Sequence, residues 1–216
     1  MLDDELFEYL EGLLTENRKQ RFLDVLVNRT NFLTVAMEDV YHLHNTSAVI
    51  RSCDAFGIQT LHVVEDKFGE RLEKKIARGA EQWVDIARYP DTQSCIDHLK
   101  TSGYQIVATT PHDESNLVSD VTITKPTALF FGTEKEGVSD TVISQADSFL
   151  TIPMVGFSES LNISVAAAII LQQLTQQLRK SGLPWQLSQE EQLLKRMDWT
   201  KKSIKNVDSI LKKLKR

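Results

Sequence analysis

The sequence predicts an α/β fold: a parallel β-sheet covered by helices on both faces, with helical extensions at each end. Three observations predict it. Short apolar runs recur at TLHVV (60–64), QIVAT (105–109) and ALFFG (128–132). Stretches with helical spacing of apolar residues separate them, which is the pattern of a doubly covered parallel sheet. Helix stops fall where they should, at Gly57, Gly103 and the Gly182/Pro184 pair.

The elements follow in order. LDDELFEYLEGLL reads as an amphipathic helix, and residues 17–28 as a second, with Phe22, Leu23, Leu26 and Val27 on one face. FLTVAME (32–38) alternates and is rich in β-formers, so it reads as a strand. Residues 45–57 read as a helix with Asn45 as N-cap, Ala48, Val49 and Phe56 as its apolar face, and Gly57 as its end. Strands are expected at 60–64 and, more weakly, at WVDIARY (83–89). A helix follows from Asp91 to about residue 102, carrying Cys95, Ile96 and Leu99 at helical spacing. The strands at 105–109 and 128–132 precede a helix start near Ser139, and FLTIPM (149–154) is a further strand. Residues 161–180 form a long helix with Leu161, Val165, Ile169, Ile170, Leu171, Leu174 and Leu178 along one side. Ser188 and Glu191 have capping-box spacing and open a final basic helix. The expected domains are therefore 1–29, a helical extension; 30–182, the α/β domain; and 183–216, a basic helical extension.

Composition bounds the function classes. With 216 residues, 41% hydrophobic and 25% charged, wholesale disorder is excluded. A chain this long buries roughly 70% of its unfolded surface and needs no staple. Cys53 and Cys95 make no disulfide framework and have no metal-ligand spacing. The acidic N-terminus lacks the basic and apolar regions of a signal peptide, and the longest apolar run, in SVAAAIILQQL, is too short for a bilayer. A cytoplasmic protein is expected. Charge is uneven: residues 1–16 hold six acids and no base, whereas 195–216 hold nine bases against Asp198 and Asp208, in a chain of net charge −5. A basic tail on an acidic body suits a polyanion partner, or is a solvated helix face with lysines favoured near its C-terminus.

Three segments carry the chemistry. In HNTSAVIRSCDAFG, Arg51 stands in a stretch of small and apolar residues, where it needs a carboxylate partner or an anionic ligand such as phosphate. In LFFGTEKEGVSD, a strand runs into a loop bounded by Gly132 and Gly137 and holding Glu134. Ligands of open α/β sheets bind beyond such strand ends, although an ordinary strand-to-helix connection looks the same. No Walker A loop or GxGxxG is present. In IPMVGFSESLNISVAAAI, a strand leads through a polar loop into a helix start carrying Ser160 and Asn162, which suits either a polar ligand or plain capping by Ser160.

Together the segments resemble the three ordered motifs of the SPOUT superfamily, SpoU/TrmH branch, over about residues 18–182. The first matches as Asn45, Ala48, Arg51 and Ser52. The second matches as Phe131, Gly132, Glu134, Gly137, Val138 and Ser139. The third matches as Ile152, Pro153, Met154, Gly156, Ser160, Leu161, Asn162, Ser164, Val165 and Ala166.

The resemblance implies S-adenosylmethionine-dependent 2′-O-methylation of an RNA ribose, on a fold with a C-terminal deep trefoil knot that the ordinary rules of chain connection would reject. It implies a homodimer whose active sites draw on both subunits. It places Arg51, Asn45, Glu134, Ser160 and Asn162 in catalysis, and Thr109, Gly132, Ile152, Met154 and Leu161 around the methyl donor. No metal or membrane is implied. Arg51 is the family's catalytic residue, either as base or, more easily for a group of pKa above about 12, by holding phosphate and a developing alkoxide. Similarity to the TrmH branch extends to the N-terminal basic helix, the MEDVYHLHN segment with His44, and the helical C-terminus; that branch methylates guanosine 18 in the D-loop of transfer RNA. Arg18, Arg21 and His44 are then RNA-contact candidates, with the 195–216 helix. The alternatives are the same chemistry on 23S ribosomal RNA or the transfer-RNA wobble ribose, or a non-catalytic RNA-binding protein on this fold.

Overall fold

The computed structural model describes residues 4–38, 43–64, 79–111, 116–133 and 135–214. Its helices are α1 (Asp4–Gly12), α2 (Glu16–Leu26), α3 (Leu43–Phe56), α4 (Thr92–Thr101), α5 (Asp140–Gln145), α6 (Ile163–Lys180), α7 (Gln189–Ser203) and α8 (Val207–Leu214). Its strands are β1 (Leu33–Glu38), β2 (Thr60–Val64), β3 (Asp85–Tyr89), β4 (Gln105–Thr109), β5 (Thr127–Phe131) and β6 (Ser148–Leu150). The chain divides into two units, Thr30–Trp185 and a second made of Met1–Arg29 with Gln186–Arg216.

In the larger unit the six strands form one sheet in the order β3-β2-β1-β5-β4-β6. Each strand pairs parallel to its neighbours. Every residue of β1 is buried, so its alternating sequence does not mark a wet face. It separates two buried ones. Leu33, Val35 and Met37 join the core with residues of α3 and α6, among them Val49, Ile50, Ala167 and Ile170. Ala36 joins the other core with Cys95, Ile96, Leu99 and Val142 of α4 and α5. β5 divides likewise, Leu129 and Phe131 to one side and Ala128 and Phe130 to the other. The two cysteines form no disulfide and are buried in opposite cores.

Local chemistry explains most boundaries. Asp91 and Ser139 cap α4 and α5, accepting from the N–H groups of Ser94 and Val142. Gly57 and Gly103 end α3 and α4 at φ 84° and 85°. Four expectations are corrected. Asn45 is not an N-cap: α3 begins at Leu43, which places Asn45 inside the first turn. The third motif's helix begins at Ile163, and its cap is Asn162 rather than Ser160, with the Asn162 side chain accepting from Ser164 N–H. The strand expected at 149–154 stops at Leu150; Thr151 makes only an isolated bridge to Leu117, and Pro153 has no N–H to continue a ladder. The final helix is broken between Ile204, in extended conformation, and Asn206, at φ 57°.

The smaller unit packs α1 and α2 against α7. Trp199 is buried at its centre, with Phe22 edge-on at 5.6 Å and the Arg29 guanidinium 5.4 Å from its ring centroid. Arg196 pairs with Glu11, Nη2 to Oε2 at 2.7 Å, and lies over Phe7. The Ser188/Glu191 capping box is formed in both directions. No described helix is long and apolar enough to cross a membrane.

Candidate active site

The C-terminal ends of β4, β5 and β6 open into one cleft of about 440 Å³ within the larger unit. That size falls in the range of about 300–1,000 Å³ for small-molecule sites. Each strand end sends a different segment to it: Thr109 and Thr110 from β4, Phe131 to Val138 with residue 134 undescribed from β5, and Leu150, Ile152 and Met154 from β6. The start of α6 closes it with Ser160, Leu161, Ile163 and Ala166. Of the residues expected around a donor, Thr109, Gly132, Ile152, Met154 and Leu161 all line this cleft.

The second-motif loop is tightly made. Thr133 and Gly137 exchange backbone bonds of 2.9 and 3.0 Å. The Thr133 hydroxyl accepts from Glu136 N–H at 3.0 Å. At Gly132 a Cβ would lie 1.9 Å from the Gly137 carbonyl oxygen, so no side chain fits while the loop keeps this shape. Gly137 itself is at φ 70° with open space beside it. Thr109 is fixed by donating its hydroxyl to Phe130 C=O at 2.8 Å. Glu136 and Glu159 bring carboxylates to the cleft, opposite in sign to a sulfonium, while Phe131, Ile152, Met154 and Ile170 offer apolar surface to an aromatic base.

The first and third motifs meet beside it. Asn162 Nδ2 donates to Asn45 Oδ1 at 3.1 Å, and its Oδ1 accepts from the Ser164 N–H and hydroxyl at 2.9 and 2.6 Å. One amide thus caps α6 and ties it to α3, and these helices pack together. Arg51 lies on α3 six residues beyond Asn45, about 9 Å along the axis, and is exposed. It does not line the cleft, and no described carboxylate pairs with it. Ser160 is exposed at the cleft rim, and His44 is exposed in the first turn of α3. Glu134 lies outside the described residues. In the smaller unit Arg18 and Arg21 are exposed on α2. Lys195 and Lys202 both pair with Asp198.

The model of the SpoU rRNA methylase family matches residues 32–172, which contain the whole cleft and both residues of the Asn45–Asn162 bridge. The chain belongs to this family. Within it, a tRNA (guanosine(18)-2′-O)-methyltransferase of Borreliella burgdorferi is 37% identical over 212 residues, covering 97% of each chain. The Thermus thermophilus enzyme of the same name is 37% identical over 87% of this chain and 98% of its own. Among solved structures, the Aquifex aeolicus TrmH/SpoU tRNA modifying enzyme superposes with a TM-score of 0.78 at 35% identity, covering 88% of this chain and 98% of that one. The SpoU methyltransferase AviRb of Streptomyces viridochromogenes, in complex with AdoMet, gives 0.64 at 29% identity, covering 74% and 65%.

One residue that motif reading passed over stands out. Glu38, the last residue of β1, is 3% exposed, and its carboxylate accepts from Ser139 N–H at 2.8 Å and from the Ser139 hydroxyl at 2.6 Å. The available signal was a lone carboxylate closing an otherwise uncharged strand.

Proposed function

We propose that this protein is a SpoU-family RNA 2′-O-ribose methyltransferase that uses S-adenosylmethionine and modifies guanosine 18 of transfer RNA. The convergence of three strand ends on one cleft, with the first and third motifs joined beside it, is the observation that carries this reading. The relatives' names and the AdoMet-bound neighbour point the same way. The donor would supply a methyl on a sulfonium, already activated for transfer to a ribose 2′-oxygen, with neutral S-adenosylhomocysteine as the leaving group and the 2′-proton released to solvent. The chain's own residues do the rest. Backbone groups of the Gly132–Val138 loop and the side chains of Ile152, Met154 and Leu161 hold the donor; Glu136 and Glu159 favour its positive charge. Asn45 and Asn162, oriented by each other, and Ser160 at the rim face the ribose. Arg51 holds the adjacent phosphate and the oxygen as it loses its proton. Glu134 belongs to the same set by its motif position.

Arg51 does not line the cleft of its own chain, which supports its delivery by a second copy. Leu161, just ahead of α6, and Val165 and Ile169 on its first two turns are 38%, 46% and 39% exposed, an apolar strip that a twin subunit would cover. The family's trefoil knot around the third-motif segment belongs to this reading. Arg18, Arg21, His44 and the lysines of α7 and α8 contact RNA phosphates, so binding should weaken steeply with salt.

The test is transfer of labelled methyl from S-adenosylmethionine to unmodified transfer RNA, with the 2′-O-methyl nucleotide mapped by mass spectrometry of digests. Modification at guanosine 18 is expected, abolished by Arg51→Ala and by Arg51→Lys with donor binding kept. Modification at the wobble ribose or in 23S ribosomal RNA would reassign the substrate, and no incorporation into any RNA would mark a binding protein.

A further inference from the structure

We propose that Glu38 is a positioning residue for the methyl donor, clamping the exit of the cleft loop to the sheet. The inference rests on the reading of the cleft as the donor site. A carboxylate this deeply buried is costly unless its oxygens are filled by donors. Glu38 collects three: Ser139 N–H on Oε2, and the hydroxyls of Ser139 and Thr92 on Oε1. Thr92 is the first residue of α4, and Ser139 is both the N-cap of α5 and the residue at which the loop ends. One side chain therefore joins the end of β1, the start of α4 and the start of α5.

The loop needs such an anchor. Thr133, Glu136, Gly137 and Val138 line the donor cleft and also a second cavity, of about 380 Å³, on the Glu38 side. The loop is thus a partition between two open spaces: its own Thr133–Gly137 bonds fix its shape, and its two ends fix its place. Its entrance is held by β5, and Val138 reaches the core below. Its exit is held at Ser139 by Glu38. Backbone recognition of a ligand tolerates displacements of only about half an ångström, so a loosened exit costs affinity even when the fold survives.

The clamp is tested by calorimetric binding of S-adenosylhomocysteine to the full-length protein, with steady-state KM for donor and for transfer RNA. Glu38→Ala is expected to weaken binding about tenfold or more and to raise the donor KM by a similar factor, leaving the transfer-RNA KM in place. Glu38→Gln is expected to restore affinity to within about threefold, because its carbonyl can serve Ser139 N–H while the two hydroxyls rotate to accept from its amide. Leu99→Ala, a buried change on α4 in the same core, should lower the melting temperature and leave donor affinity alone. If Glu38→Ala does not fold, Glu38→Asp, one methylene too short to span β1 and Ser139, should fold and show the same weakening. A folded Glu38→Ala or Glu38→Asp that binds like wild type overturns the clamp, as does Leu99→Ala weakening binding equally. Failure of the wild-type protein to bind S-adenosylhomocysteine overturns instead the donor-site reading beneath it.

Discussion

The Asn45–Asn162 bridge makes a quantitative claim. Asn162→Ala removes the N-cap of α6, worth about 1 kcal/mol, and the half-buried bond to Asn45, worth about 0.5–1.5 kcal/mol. The expected loss is about 2 kcal/mol, or about 4–8 °C in melting temperature for a unit of this size. Asn162→Asp retains the cap oxygen that Ser164 donates to, so it should recover about half of the loss. Asn45→Ala alone should cost about 1 kcal/mol or more, because Asn45 is buried and makes other contacts. The pair is decisive. In urea unfolding with unchanged m-values, the double variant should cost less than the sum of the singles by about 1 kcal/mol. Additivity within about 0.3 kcal/mol would show that the two amides do not act together, and the joining of the first and third motifs would lose its physical basis.

Further predictions follow from particular contacts. Gly132→Ala must open the loop, because its Cβ would meet the Gly137 backbone at 1.9 Å; donor binding by calorimetry should be lost. Gly137→Ala meets nothing within 4 Å and suffers only its φ of 70°, a strain of about 1–2 kcal/mol, so it should be much the milder of the two in melting temperature. His62, with Nδ1 3.0 Å from the Tyr89 hydroxyl, has its pKa lowered from 6.5 to about 4, first by burial and then by His98. Because the unfolded chain binds this proton first, the neutral ring's contribution is fully present above about pH 6.5. It is lost as pH falls toward about 4, by up to about 3 kcal/mol. The slope of stability between pH 6.5 and 4 should therefore be shallower in His62→Gln than in the wild-type chain, and equal slopes would contradict the assignment. In the smaller unit, Glu11→Gln weakens the half-buried pair with Arg196 and should cost about 1–2 kcal/mol by chemical denaturation, with little relief from added salt.

The fold was legible wherever local chemistry decides it. Strand β2 falls at the residues its apolar run predicts, and Asp91, Ser139, Gly57 and Gly103 act as their side chains or their lack of one require. Legibility failed where tertiary surroundings override a local signal. Asn45 and Ser160 have good capping chemistry but are not caps: α3 already runs from Leu43, and Asn162 caps α6 while its amide bonds Asn45. The final helix reads as continuous, since Ile204 and Asn206 look ordinary and only the φ of 57° at Asn206 reveals the break.

The site divides in the same way. Residues that meet the donor cleft through backbone geometry carry a spacing signature, and Gly132 is legible because the loop leaves no room for a Cβ. Glu38 carries no such signature. Its partners Thr92 and Ser139 are 54 and 101 residues away, and nothing in their local sequence announces a shared carboxylate. A motif records what one stretch of chain does to a ligand; a clamp records what three stretches do to each other. The pairing of a buried acid with donors on two helix starts is therefore visible only after folding, although its consequence, a loop held still between two cavities, bears directly on the chemistry that the motifs advertise.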